Sequence, residues 1–227
     1  MPKSVLIIGN SDGIGLALTR NLIDQGWPVT GISRSVSPIN TENYRHFVAD
    51  IRFDEYTRVL KSAIDPSQPP DLCIYCAGTG ELLNLNDMQR ETDILQVNLL
   101  GMIETAAHII PLMIGRGSGH FIGLSSVADE LLSPEAPSYH AAKAGFSTYL
   151  ESLGLALKNT TVFVTNVRFG FVDTKMAKGD VRPFMMTVEQ AVQHILTCIA
   201  KKPIRYTAPK IVIPLVKFRR WILRSGI

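Results

Sequence analysis

Short apolar runs alternate with longer amphipathic stretches along the whole chain. Residues 4–8, 28–32, 45–48, 72–75, 120–124 and 161–167 are dense in Val, Ile, Leu and Phe without strict alternation, the pattern of strands buried on both faces. Residues 14–25, 54–62, 87–114, 138–157 and 188–200 carry apolar side chains at helical spacing. Regular alternation of strand and helix predicts parallel strands joined by right-handed crossovers, hence an α/β doubly wound sheet with helices on both faces. Residues 35–43, 65–70 and 174–183 are rich in Pro, Ser, Gly or charge and are the expected loops.

Length narrows this further: 227 residues suit one large domain. Residues 1–203 are expected to carry the chemistry, with 204–227 a basic amphipathic segment of the same domain. The net charge of +3 conceals an asymmetry, because residues 201–227 hold eight basic side chains and no acid, leaving fifteen basic against twenty acidic elsewhere. Basicity confined to a tail argues against a broad nucleic-acid-binding face. Apolar runs such as residues 211–216 are short against the roughly 20 residues of a spanning helix. The run at residues 5–9 is likewise short for a secretory leader. No transmembrane segment is expected, and the expected compartment is the cytoplasm. Cys73 and Cys76 form a C-x-x-C, but on a strand they face opposite ways about 10 Å apart, which disfavours a disulfide or redox pair.

The first strand runs into Gly9-Asn-Ser-Asp-Gly13-Ile-Gly15 and then a helix. Glycines here permit a tight turn and close backbone approach, and the helix N-terminus presents free N–H groups to a pyrophosphate. Position at the first βα turn, where open α/β sheets bind nucleotides, strengthens the reading. The second strand ends Gly31-Ile-Ser33-Arg34. Ser33 stands where an acid would meet the ribose 2′-hydroxyl of NAD, and Arg34 suits a 2′-phosphate, so NADP(H) is expected and NAD(H) is second choice. Asp12 opposes this, since its charge could lie near the same phosphate.

Tyr139-His-Ala-Ala-Lys143 is a Y-x-x-x-K, which on a helix puts both side chains on one face. A cation there stabilises tyrosinate and lowers the phenol pKa. With six tyrosines among 227 residues, chance alone places such a pair in about one chain in four, so its setting matters. Ser126 lies thirteen residues upstream at a strand end, and Asn98 lies within a long helical stretch. No G-x-S-x-G, no G-x-x-x-x-G-K and no H-x-x-x-H occurs, which weighs against hydrolase, nucleoside-triphosphatase and metal chemistry. His140 points away from Tyr139 and is expected on the helix surface.

With these residues in view, the chain resembles the short-chain dehydrogenase/reductase family over nearly its whole length. Gly9, Gly13 and Gly15 match the family's glycine motif, and Asp50 the acid that contacts adenine. Cys76-Ala77-Gly78 stands for Asn-Ala-Gly. Asn98, Ser126, Tyr139 and Lys143 match the catalytic tetrad in order. Residues 168–174, Arg-Phe-Gly-Phe-Val-Asp-Thr, resemble the Pro-Gly-x-Val-x-Thr stretch beside the nicotinamide, with Phe169 in place of Pro. The resemblance implies a Rossmann-like fold of about seven strands. It also implies a cofactor site formed by Gly9, Ser11, Gly13, Ile14, Gly15, Ser33, Arg34, Asp50, Ile51, Ala77, Gly78, Tyr139, Lys143, Gly170, Val172 and Thr174. Tyr139 would protonate a carbonyl as hydride arrives, Lys143 would depress its pKa and hold the nicotinamide ribose, Ser126 would orient the substrate oxygen, and Asn98 would hold a relay water.

The expected activity is NADPH-dependent reduction of a carbonyl. The alternatives are an NAD(H)-linked alcohol dehydrogenase and a non-catalytic NADP(H)-binding redox sensor, against which an intact tetrad argues. Asp129, Glu130, Leu131 and Leu132 after Ser126, with Phe171, Met176, Phe184, Met185 and Met186 after Gly170, are expected to shape a mostly apolar substrate pocket. The absence of a Gly-rich terminal strand disfavours a tetramer and leaves a dimer through the long helices. Leu215, Val216, Phe218, Trp221, Ile222 and Leu223 share a helical arc opposite Lys217, Arg220 and Arg224. That arc would either dock on the domain or make peripheral contact with an anionic membrane.

Overall fold

A computed structural model describes residues 4–177, 184–214, 216 and 218. Seven parallel strands form one sheet in the order β3-β2-β1-β4-β5-β6-β7. They are β1 Val5–Ile8, β2 Val29–Ser33, β3 Tyr44–Val48, β4 Leu72–Tyr75, β5 Gly119–Ser126, β6 Val162–Phe169 and β7 Arg205–Ala208. The helices between them are α1 Gly13–Asp24, α2 Glu55–Ala63, α3 Gln89–Leu95, α4 Gly101–Arg116, α5 Pro137–Ala156 and α6 Val188–Lys201. The doubly wound reading holds, and every strand and helix read from the pattern is present.

Alternate residues of each strand separate the two cores, as a period of two requires. On β1, Leu6 and Ile8 join Tyr56 and Leu60 of α2, Met102 and Ile109 of α4, and Phe146 and Leu150 of α5. Val5 and Ile7 join Leu18 and Leu22 of α1 and Val192 and Ile195 of α6 on the other face. Cys73 and Cys76 divide in the same way, one to each core, and burial pushes both thiols up, Cys76 to about 12. They are packing residues. Strand order reverses between β1 and β4, which pair Val5 with Leu72 through Ile8 with Tyr75. That switch point opens a crevice at the C-terminal ends of the strands.

Four features differ from the sequence reading. The predicted helix over residues 87–114 is divided by a π turn, Gln96–Leu100. The segment after residue 203, expected as a basic amphipathic segment, begins as the seventh strand, β7, which pairs in parallel with β6 from Asn166–Arg205 to Phe169–Ala208. Beyond it Val212, Ile213, Pro214, Val216 and Phe218 are helical, and Val212 and Val216 are buried; Leu215, Lys217 and residues 219–227 lie outside the described residues, as do loop residues 178–183. Finally, the helical stretch Gln89–Arg116 is long and apolar enough to cross a membrane, with a window of mean hydropathy 1.6. Its Met102, Ala106, Ile109 and Met113 are buried in the domain core, which makes it a core helix here.

Candidate active site

β1 leaves the sheet at Gly9, where φ is +83° and an added Cβ would lie 2.5 Å from the Ala77 backbone. The turns after β1 and β4 therefore pass in contact, which only glycine permits. Gly13 opens α1 at φ +52° and faces Thr174, whose side chain would stand 3.5 Å from a Cβ there. The N-terminus of α1 thus lies between the first turn and the loop after β6, a cradle for an anionic group. Ser11, Ile14 and Gly15 belong to the same turn. Ser33 and Arg34 end β2, Asp50 and Ile51 follow β3, Ala77 and Gly78 follow β4, and Gly170, Val172 and Thr174 follow β6. The topology thereby brings all the expected cofactor residues to one edge of the sheet, and they fit a dinucleotide.

Asp12 does not sit with Arg34, contrary to expectation. Its carboxylate accepts from Gly13 N at 2.8 Å and pairs with Lys175 Nζ at 2.7 Å. Lys175 first, and then the Gly13 N–H, hold it below the usual carboxylate range. Its charge is thus neutralised from the β6 side rather than set against a 2′-phosphate.

At the far end of the crevice, Ser33 Oγ donates to Ser35 O at 2.9 Å and lies 3.4 Å from His46 Nε2. Arg34 is exposed. Asp50 is gripped by Arg52, whose Nη2 lies 2.7 Å away and whose Nη1 reaches Asp93 at 2.9 Å. Arg52 is the main cause of the depressed Asp50 pKa, with a smaller contribution from Arg34, so both cations face the same end. Sequence reading missed Arg52 and the buried chain behind Ser33, in which Asn10 Nδ2 donates to Tyr44 Oη at 2.6 Å and Tyr44 Oη lies 2.9 Å from His46 Nδ1. Its only sequence signal is the run of polar residues on β3.

Ser126 is the last residue of β5, and its Oγ caps the short 3₁₀ turn Val127–Glu130 by accepting from Ala128 N at 3.2 Å. Tyr139 and Lys143 are one turn apart on α5, which starts at Pro137 with its φ preset for a helix. Ser126 hydrogen-bonds Tyr139. Lys143 is buried and donates to Leu124 O at 3.0 Å, with Nζ 5.8 Å from the Tyr139 ring centre and 4.9 Å from that of Phe146. The ionisations correct the sequence reading. Burial raises the Tyr139 phenol above its usual value of 10.0, the Ser126 bond opposes this, and Asp129 adds to it. Burial also lowers Lys143, to about 8, against the opposite pull of Asp129. Desolvation is the largest of these influences, so the buried site holds Tyr139 as a protonated phenol rather than as tyrosinate.

Asn98 is fully buried in the π turn. Its Nδ2 donates to Thr79 O at 2.6 Å and its Oδ1 accepts from Thr79 N at 2.9 Å. The amide therefore pins the loop after β4. The π turn has a local cause: Gly101 N bonds Gln96 O, and the Val97 carbonyl instead accepts from Tyr75 Oη at 2.6 Å.

Above Tyr139 the surface is apolar. A Cβ on Gly80 would stand 3.7 Å from both Met176 and Tyr139, so the Met176 side chain lies beside the phenol. Leu82, Leu132, Phe171, Met176, Phe184 and Met185 are exposed apolar side chains of the loops after β4, β5 and β6. Two expectations fail here. Met186 is buried and bridges to Val172. Asp129 and Glu130 turn inward to Arg168, at 2.5 and 2.6 Å. His140 is also not a surface residue: its Nδ1 lies 3.0 Å from both Ala128 O and Leu131 O and secures the loop after Ser126.

Comparison with known proteins agrees with this arrangement. The profile of the family described as short chain dehydrogenase matches residues 3–183. A Staphylococcus haemolyticus protein named as an uncharacterized oxidoreductase is 29% identical over 186 residues, covering 78% of this chain and 80% of its own. A Myxococcus xanthus protein of the same description is 28% identical over 205 residues, covering 84% and 81%. The crystal structure of a short chain dehydrogenase from Burkholderia cenocepacia in complex with NADP superposes with a TM-score of 0.85 at 20% identity, covering 99% of this chain and 97% of that one. A crossover sheet with its nucleotide edge intact, a Tyr139–Lys143 helix behind Ser126 and a profile match over most of the length lead to one conclusion: the chain belongs to the short-chain dehydrogenase/reductase family of oxidoreductases.

Proposed function

We propose that the protein is an NADPH-dependent reductase of a lipophilic ketone or aldehyde. The observation that carries the reading is the placement of Tyr139 on α5 one turn from the buried Lys143, beside Ser126 and with Met176 and Tyr139 both packed against Gly80. A phenol that keeps its proton at neutral pH is a proton donor, which is the reductive role. The nicotinamide cofactor supplies the hydride when bound. The α1 N-terminus and Thr174 would hold its phosphates, Arg34 and Ser33 the 2′-phosphate, Asp50 the adenine, and Lys143 the nicotinamide ribose. Ser126 would hydrogen-bond the substrate oxygen and present it to Tyr139, which would donate the proton. Asn98 would support both by fixing the loop at Thr79. Arg34 at the expected position, together with the NADP named in the Burkholderia cenocepacia complex, favours NADP(H) over NAD(H).

We place the protein in the cytoplasm as a homodimer through α4 and α5, whose Ile114 and Leu155 are exposed apolar side chains, with peripheral membrane contact through the basic tail. A panel of aldehydes, ketones and quinones, followed by NADPH oxidation, tests the activity. Tyr139→Phe should keep NADPH binding and lose kcat by roughly 10²–10⁴-fold, the usual contribution of a positioned general acid. Comparable kcat in variant and parent would remove Tyr139 from this role.

A further inference from the structure

Asp129 is a carboxylate 3% exposed, set on the 3₁₀ turn immediately after Ser126. Three elements close around it. From β6, Arg168 donates from Nε at 2.6 Å and from Nη2 at 2.5 Å, a bidentate grip. From α5, Ser147 donates from Oγ at 2.6 Å. Ser147 is one turn beyond Lys143 and lies 2.8 Å from Ser125 Oγ on β5. Glu130 takes the other side of Arg168 at 2.6 Å and lies 3.9 Å from Arg205 of β7, which pairs with Glu151 of α5 at 2.8 Å. Arg168 is itself 5% exposed. A buried ion pair contributes little net stability compared with apolar packing, so its presence behind a reaction centre points to another use.

We propose that Arg168, acting through Asp129, is a positioning residue that locks the Ser126 loop to α5 and sets the electrostatic potential under Tyr139 and Lys143. The inference rests on the reading of those two residues as the reaction centre. Around Lys143 stand Tyr139 on its own helix, Leu124 O on β5, Phe146, and Asp129 on the turn. Asp129 is the carboxylate whose charge reaches both Tyr139 and Lys143. Arg168 offsets that charge at contact distance. Removing the cation leaves Asp129 and Glu130 without their shared guanidinium, and the added negative potential holds both protons more tightly; removing the Asp129 carboxylate leaves Arg168 paired with Glu130 and takes away the negative charge that reaches both groups, which loosens both. The two halves of one ion pair therefore have opposite effects, which a merely structural role would not produce.

The test titrates Lys143 by carbon-13 NMR of lysine side chains in the full chain, its signal assigned by loss in Lys143→Met. Arg168→Met should move the Lys143 midpoint up and Asp129→Asn should move it down, each by roughly one pH unit. The double variant should return it to near the parental value, and Arg168→Lys should retain it. If Arg168→Met does not fold, the nearly isosteric Asp129→Asn and the double variant, which leave no carboxylate at position 129 to be stranded, carry the same comparison. Unmoved midpoints, or shifts of the same sign in both single variants, overturn the proposal. Because the titration needs no turnover, opposite shifts in a protein that reduces no carbonyl would overturn the functional reading and leave this one standing.

Discussion

Lys143 carries a charge whose loss should be visible in the rate. Its buried ammonium has a pKa lowered to about 8, so it is charged below that pH and neutral above, while the raised Tyr139 keeps its proton throughout that interval. Carbonyl reduction should therefore fall as pH rises through about 8, on a limb assigned to Lys143; a profile flat into the ordinary lysine range would refute this. At the other end of the crevice, Arg34 is the residue proposed to set cofactor choice. Since Asp12 is neutralised by Lys175, Arg34 meets no competing charge from that side. NADPH should bind more tightly than NADH, and Arg34→Ala should narrow the gap by about 1.5–3 kcal/mol, the contribution of a charge-assisted contact. Fluorescence titration of both cofactors measures it, and equal affinities in the parent would be the contrary result.

Among the elements, the π turn Gln96–Leu100 has the most specific requirements. Asn98 reaches Thr79 only because the helix is wound wide at this point, and the Tyr75 hydroxyl occupies the carbonyl that the widening releases. Gly101 permits the approach: a Cβ there would lie 2.2 Å from the Ile51 side chain and 2.7 Å from Tyr75 Oη. Gly101→Ala should destabilise the fold by about 1–3 kcal/mol, the usual cost of overpacking. It should also lower kcat through the displaced loop at Thr79. Urea unfolding together with turnover checks both, and a variant as stable as the parent would show that Ile51 yields freely. The apolar pattern did not reveal the π turn, because the contact that accompanies it, Tyr75 Oη to the Val97 carbonyl, spans 22 positions in the chain.

For the whole molecule, the described part of the tail packs through Val212 and Val216, which are buried. A Cβ on Gly170 would stand 3.5 Å from Pro209 and Val212, so the segment after β7 lies against the loop leading to Thr174. Truncation before Val212 would expose apolar area worth roughly 1.5–3 kcal/mol for each of Val212 and Val216, and should lower the unfolding temperature and weaken cofactor binding together. Truncation after Phe218 removes Arg219, Arg220 and Arg224 and leaves both valines in place. It should keep the unfolding temperature and abolish salt-sensitive binding to anionic vesicles. Full-length protein that ignores such vesicles at low salt would refute the membrane proposal.

The sequence alone determined the alternation of strands and helices, the parallel sheet and the Tyr139–Lys143 pairing on which the proposed reaction centre rests. These follow from short-range rules: apolar runs of strand length, helical spacing, and glycine at turns that must pass close to backbone. Tyr139 and Lys143 were legible for the same reason, since four residues on a helix define one face. Long-range contacts decided the rest. β7 was not named as a strand because Arg205–Ala208 has no apolar run, and pairing with β6 makes it one. The raised Tyr139 pKa was not legible because its main cause, desolvation, is a property of the packed site and not of the Y-x-x-x-K spacing. Asp129 and Glu130 read as pocket residues until β6 placed Arg168 against them, 39 and 38 positions away in the chain. Charges are assigned partners only when the sheet closes, because Coulomb attraction in a buried site depends on distance and dielectric, and neither is written in the order of residues.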